Sequence, residues 1–315
     1  MSRPLREQLN VLLLLSLSAP IVFAQTPTQT PAQPSQTVQF QVGKVPRSGF
    51  DLYYRTLGEG EPDLILSGGP GDDCDYMVPV AQAVAKSARA ILLEPRGTGR
   101  SIPPVLDKST ISLALYLDDL EALREYLHIQ QWVLAGHSAG GLLAMYYAAA
   151  HPDRVDKLIL LDSAPVASEF LRPLEDNILD RLSPDDRDRL MTLQASNSPE
   201  ALAAAAQLQA QALFFDRKVG SRIAAMIGTA WHPAVGHLLG SEMTAPGYDL
   251  RPRLKDFDRP VLILNGRQDP MDPWMAYETS AAFKNSTLKF IDRAGHFPWF
   301  EQEKEFGDIL GEFLK

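Results

Sequence analysis

Ser138, Asp269 and His296 are the side chains of this 315-residue chain whose types could together perform acyl transfer. A serine hydroxyl is a poor nucleophile until a base removes its proton. Histidine is the usual base, and a carboxylate holds its tautomer and stabilises the imidazolium that forms. Ser138 lies in "GHSAG" (136–140), a match to G-x-S-x-G. The apolar run "WVLAG" (132–136) precedes it and "GLLAMYYAAAH" (141–151) follows, so a strand should feed a sharp turn and then a helix. Residues two before and two after the serine of such a turn must be small; Gly136 and Gly140 comply, and Gly141 adds room. The helix N-terminus behind the serine favours negative charge.

In this arrangement the partners follow in the order serine, acid, histidine. His296, in "DRAGHFPWFEQ", occupies a short loop before a terminal helix and is the expected base. His232 and His237 fall in a helical region and read as surface or polar-core residues, while His128, His137 and His151 read as helix-end or packing residues. No histidine spacing suggests a metal site. For the acid, "LILNGRQDPMDP" offers Asp269 and Asp272 after a strand; Asp269 is the better placed, with Asp162 at the end of the preceding strand as fallback. Two backbone N–H donors should face the oxyanion, Ala139 after the nucleophile and Gly69 in the early loop "SGGPGDD" (67–73). No cofactor and no metal is expected.

The elements that must carry these residues are visible as short apolar runs at 63–68, 88–95, 132–136, 157–163, 260–266 and 287–292. Continuous rather than alternating runs suit a parallel sheet covered on both faces. Helical patterns separate them, so the class is α/β. Between 166 and 247 the strand rhythm gives way to helical, Ala- and Gln-rich sequence such as "EALAAAAQLQAQALFF". A core of 38–165 and 248–315 with a helical cap inserted at 166–247 is the expected organisation.

At the N-terminus, Arg3 and Arg6 precede "VLLLLSLSAPIVFA", which ends in small residues. Residues 1–24 fit a cleavable signal peptide, so an exported protein is expected, periplasmic or secreted. Residues 25–37, rich in Pro, Thr and Gln, read as an extended linker. Cys74 is the one cysteine, so no internal disulfide can form. A net charge of −9 without a basic tract argues against nucleic acid or an anionic membrane as partner. The expected partner is a small peptide or ester.

Taken together, "GGPG" (68–71), "EPRGTGRS" (94–101), "GHSAGG" (136–141), "GRQD" (266–269) and "GHFPWFEQ" (295–302) resemble the proline iminopeptidase branch of the α/β-hydrolases. The resemblance spans 40–165 and 248–315. It implies a mostly parallel central sheet flanked by helices, with an inserted helical cap. It also implies a metal-free serine peptidase that removes an N-terminal residue, usually proline. Ser138 would be nucleophile, Asp269 acid and His296 base, with Gly69 and Ala139 as oxyanion hole; the Arg96 loop would be structural support. The chain departs from the pattern at Ser67, where the family usually has histidine before Gly-Gly-Pro-Gly, and at Glu94-Pro95 for Asp-Gln. Ala139 stands where tryptophan is frequent, and the cap holds no Trp-Glu pair to grip an ammonium group. Glu169, Glu175, Asp176, Asp216 and Glu242 are the acidic cap candidates. An aminopeptidase is the first expectation, a carboxylesterase or lactonase using the same triad the second, and a non-catalytic binding protein the third.

Overall fold

A computed structural model of the chain describes residues 39–171, 173–196, 198–224 and 232–315. The expected signal peptide and linker lie outside the described residues. The sheet contains β1 (Gln41–Arg47), β2 (Phe50–Leu57), β3 (Pro62–Leu66), β4 (Arg89–Leu93), β5 (Trp132–His137), β6 (Val155–Leu161), β7 (Val261–Gly266) and β8 (Ser286–Ile291). Their spatial order is β1-β2-β4-β3-β5-β6-β7-β8. β1 and β2 are antiparallel, β2 pairs antiparallel with β4, and every later pairing is parallel.

Period-two geometry explains why the central runs are apolar throughout. Successive side chains point to opposite faces, and both faces are covered. Leu64, Leu66, Leu134, Leu158, Leu160 and Ile263 join one core cluster, whereas Ile65, Val133, Ala135, Ile159, Leu161 and Leu262 join the other. The first is roofed by α2 (Leu113–Tyr126), α3 (Ala139–Ala150) and α10 (Pro273–Ala281). The second packs on α1 (Val78–Val84), α11 (Pro298–Glu301) and α12 (Glu303–Leu314). The β1–β2 hairpin has no such continuous run. Its residues are mostly half-buried or exposed, so alternating polar positions hide it from a search for buried strands.

Between β6 and β7 run α4 (Pro173–Asp180), α5 (Pro184–Ser196), α6 (Pro199–Ala212), α7 (Arg217–Ala224), α8 (Pro233–Met243) and α9 (Arg251–Leu254). A two-stranded neck closes this excursion: Ala167 bridges Asp249, Ser168 N–H donates to the Tyr248 carbonyl (2.9 Å) and Leu250 N–H to that of Val166 (3.0 Å). Ile178, Leu182, Leu190, Ala205, Leu208 and Ala212 give the helices a small core of their own.

One carboxyl group is out of place in this core. Asp63, in β3, is 0% exposed, and neither of its oxygens has a hydrogen-bond partner. Burial pushes it well above the usual carboxylate range, against the pull of Lys157. The folded state therefore holds a proton that the unfolded chain releases, and stability falls as pH rises from the ordinary carboxylate range toward the raised value. Asp63→Asn should give a urea midpoint above that of the unaltered chain at about pH 8, with the gap narrowing toward about pH 4. Urea titrations at both values check this; a lower midpoint at the higher pH contradicts it.

Candidate active site

Ser138 follows β5 and caps α3 with φ 52° and ψ −121°. A non-glycine residue in this region is strained and persists only where its surroundings over-determine it. The surroundings here are close backbone. A Cβ on Gly136 would strike the Gly140 carbonyl, and one on Gly140 would strike the carbonyls of Leu66 and Ser67. Ser138 N–H donates to the Leu161 carbonyl (3.0 Å) and its own carbonyl accepts from Ala164 N–H (2.9 Å), which ties the turn to β6. Ser138 is 5% exposed, and its hydroxyl makes no hydrogen bond to a described residue.

The loop after β3 packs directly on this turn: a Cβ at Gly68 would lie 2.7 Å from Ser138 Cβ. Gly68 N–H is taken by the Tyr76 hydroxyl. The N–H groups of Gly69 and Ala139 donate to no described residue, which leaves two donors beside the serine. From the helical excursion between β6 and β7, His232 N–H supports the loop through the Gly71 carbonyl (2.8 Å). His237 is exposed.

Asp269 follows β7 and His296 follows β8; they meet through His296 Nδ1 and Asp269 Oδ2 at 2.9 Å, with exposures of 6% for the histidine and 5% for the aspartate. Asp269 Oδ1 also accepts from Met271 N–H (2.9 Å). Asp272 is instead the cap of α10, accepting from Trp274 N–H (2.8 Å). Asp162 is completely buried, and its Oδ1 accepts from Gly266 N–H (2.7 Å). One ligand atom from each of Asp162, Asp269 and His296 lies within 4.8 Å of the others. Burial, then the neighbouring Asp269, pushes the Asp162 carboxyl well above its ordinary range. Two buried carboxylates this close do not both ionise. The second oxygen of Asp162 has no hydrogen-bond partner.

Sequence patterning missed what holds His296. His137, read as a packing residue, has its ring centroid 4.6 Å from that of His296 and 5.1 Å from that of Phe297. Because the Tyr76 hydroxyl accepts from Gly68 N–H, its own proton goes to His137 Nδ1 (2.8 Å). His137 Nε2–H then donates to the His296 carbonyl (3.0 Å). Burial, followed by His296, keeps the His137 imidazole well below its usual value and hence neutral, as this tautomer requires. One chain of hydrogen bonds thus runs from the loop after β3 to the loop after β8. On its far side, His296 N–H donates to the Leu213 carbonyl (2.7 Å), and Glu301 accepts from Gly295 and Asp216 N–H at 2.7 Å each.

Tyr76→Phe keeps the ring packing and removes the chain's central link. A loosened histidine and donor loop should lower kcat by roughly 10- to 100-fold with little change in KM. Steady-state kinetics on an ester substrate check this; an unaltered kcat would dismiss the link.

Arg96 forms a buried two-point ion pair with Asp119 (2.7 and 2.6 Å), and Arg47 Nε approaches the same carboxylate at 2.8 Å. This pair ties the Arg96 loop to α2. Glu94 likewise accepts from Arg100 N–H (2.9 Å). Both arginine–carboxylate pairs brace the chain beside a cavity lined by Gly69, Asp72, Ala139, Leu143, Leu239 and Met243.

Residues 64–303 match the family described as alpha/beta hydrolase fold. The chain is an α/β-hydrolase. A proline iminopeptidase of Lactobacillus helveticus is 27% identical to this hydrolase over 294 residues, covering 86% of the chain and 97% of the relative. Among solved structures, the proline iminopeptidase of Mycobacterium smegmatis superposes with TM-score 0.68 at 18% identity, covering 87% of this chain and 98% of its own. The enol-lactonase of Burkholderia xenovorans superposes with TM-score 0.65 at 23% identity, covering 86% and 99%. At such identities the structural likeness establishes the shared fold. The hydrolase keeps the sheet, helices and excursion between β6 and β7 that this fold supplies.

Proposed function

We propose that this α/β-hydrolase is a serine aminopeptidase of the proline iminopeptidase type, with Ser138 as nucleophile, His296 as base and Asp269 as orienting acid. The observation that carries the catalytic part is the 2.9 Å contact between His296 Nδ1 and Asp269. It fixes the proton on Nδ1 and leaves Nε2 with its lone pair. In the reaction, Nε2 takes the proton of Ser138 as the hydroxyl attacks the scissile carbonyl. The N–H groups of Gly69 and Ala139 hold the oxyanion. The imidazolium, stabilised by Asp269, protonates the leaving amine, and water repeats the cycle to release the acyl group. The helices between β6 and β7 serve as a cap over the substrate. The aminopeptidase part is supported by the Lactobacillus helveticus relative, which aligns over almost its whole length.

A carboxylesterase or lactonase is the second reading. It is favoured by the positions of the cap acids: Glu169 pairs with Arg251, Glu242 accepts from Leu113 N–H, Asp216 accepts from Lys218 N–H and Asp176 is exposed. The side chain of Glu175 lies outside the described residues. Rates on aminoacyl-naphthylamides beside p-nitrophenyl esters and lactones decide between the readings. Cleavage of the amides is expected; ester or lactone cleavage alone would reject the peptidase. Export through residues 1–24 belongs to the same proposal, and N-terminal sequencing of the protein from intact cells should find a chain starting near Gln25.

A further inference from the structure

Asp72 is a carboxylate placed against the oxyanion donors with nothing of its own to bind. The turn Gly69–Asp72, closed by Asp72 N–H on the Gly69 carbonyl (2.7 Å), folds its side chain back over Gly69. Position 69 has φ 54°, and any Cβ there would collide with Asp72 Oδ2, so only glycine permits the contact. Asp72 lines the cavity shared with Gly69 and Ala139, and its carboxylate makes no hydrogen bond or ion pair with a described residue. The other carboxylate of that lining, Asp119, is held by Arg96 and Arg47. The described cap acids are likewise engaged or exposed.

A partly buried carboxylate without a partner calls for a proton or a cation. The α-ammonium of an N-terminal residue is two bonds from the scissile carbonyl carbon. A group that grips it must therefore sit beside the donors that grip the carbonyl oxygen. We infer that Asp72 accepts the substrate's N-terminal ammonium and so selects free-amine acyl groups over neutral ones. This rests on the aminopeptidase reading and supplies the acid that the cap does not. Burial, then Asp73, pushes Asp72 up to about 8, so it is largely uncharged until a cation arrives. The apolar remainder of the cavity, Leu143, Leu239 and Met243, suits a small hydrocarbon side chain or ring.

Asp72→Asn tests this, using proline and alanine p-nitrophenyl esters against their N-acetyl counterparts, with the corresponding naphthylamides alongside. The unaltered chain should prefer the free-amine ester. In Asp72→Asn the ratio of kcat/KM for free-amine to N-acetyl ester should fall by roughly 10- to 100-fold, the size of one charged hydrogen bond, chiefly through KM. A ratio that stays put, whether both rates fall together or neither moves, overturns the inference. So does an unaltered chain with no preference for the free amine. The naphthylamides report separately on the peptidase reading, because an esterase that cleaves none of them can still show the ester preference and its loss.

Discussion

Ser138→Ala should remove essentially all hydrolysis, lowering kcat by about 10⁶ on the best substrate found. The size follows from what the hydroxyl does. In the proposed mechanism no acyl-enzyme forms without it, and the two backbone donors with bound substrate would retain only the residual acceleration of holding the reactants. The change is also mild for the fold. Alanine removes one oxygen that has no hydrogen bond to a described residue, so the melting temperature should stay close to that of the unaltered chain. Alanine at φ 52° carries the same backbone strain as serine. A fluorophosphonate probe should label the unaltered chain at this residue and leave the variant unlabelled. Labelling of the variant, or activity within tenfold of the original, would end the assignment of Ser138.

Asp269→Asn should lower kcat by about 10⁴ with the fold retained. The amide can offer an N–H where the carboxylate accepted one, so the proton on His296 moves to Nε2, the nitrogen that must accept from the serine. Asp162→Asn is the informative contrast. Burial and the neighbouring Asp269 push the Asp162 carboxyl well above its ordinary range, so an uncharged amide of the same shape is a mild change there and can still accept from Gly266 N–H. Its loss should be about tenfold or less. Parallel kcat measurements and thermal melts on the two variants check this. Equal losses would mean that Asp162 carries the acid role, or shares it.

The comparison of these two aspartates shows where sequence reasoning reaches its limit. Both follow the C-terminal end of a buried strand, and chain order alone leaves either able to serve. Their roles separate only through space: the loops after β7 and β8 bring Asp269 to Nδ1, while Asp162 turns to Gly266. His137 follows the same logic. Its place beside Ser138 was plain, but its partners Tyr76, Phe297 and Trp299 come from distant segments, and a short 3-10 turn around Tyr76 carries no readable signal. The β1–β2 hairpin escaped because a half-solvated edge has no continuous apolar run.

What the sequence by itself determined is the α/β class, the strands that form the buried sheet and the tight turn at Ser138. Those rest on local physics: unbroken apolar runs demand two covered faces, and a serine flanked by glycines between strand and helix admits few backbones. Tertiary structure alone decided which carboxylate meets His296, which residues hold that ring, and that Asp72 lies against Gly69 in the cavity it shares with Ala139. These depend on contacts between segments separated by up to 159 residues, as with His137 and His296. No local pattern encodes such a distance; the packing of both core clusters against the sheet sets it.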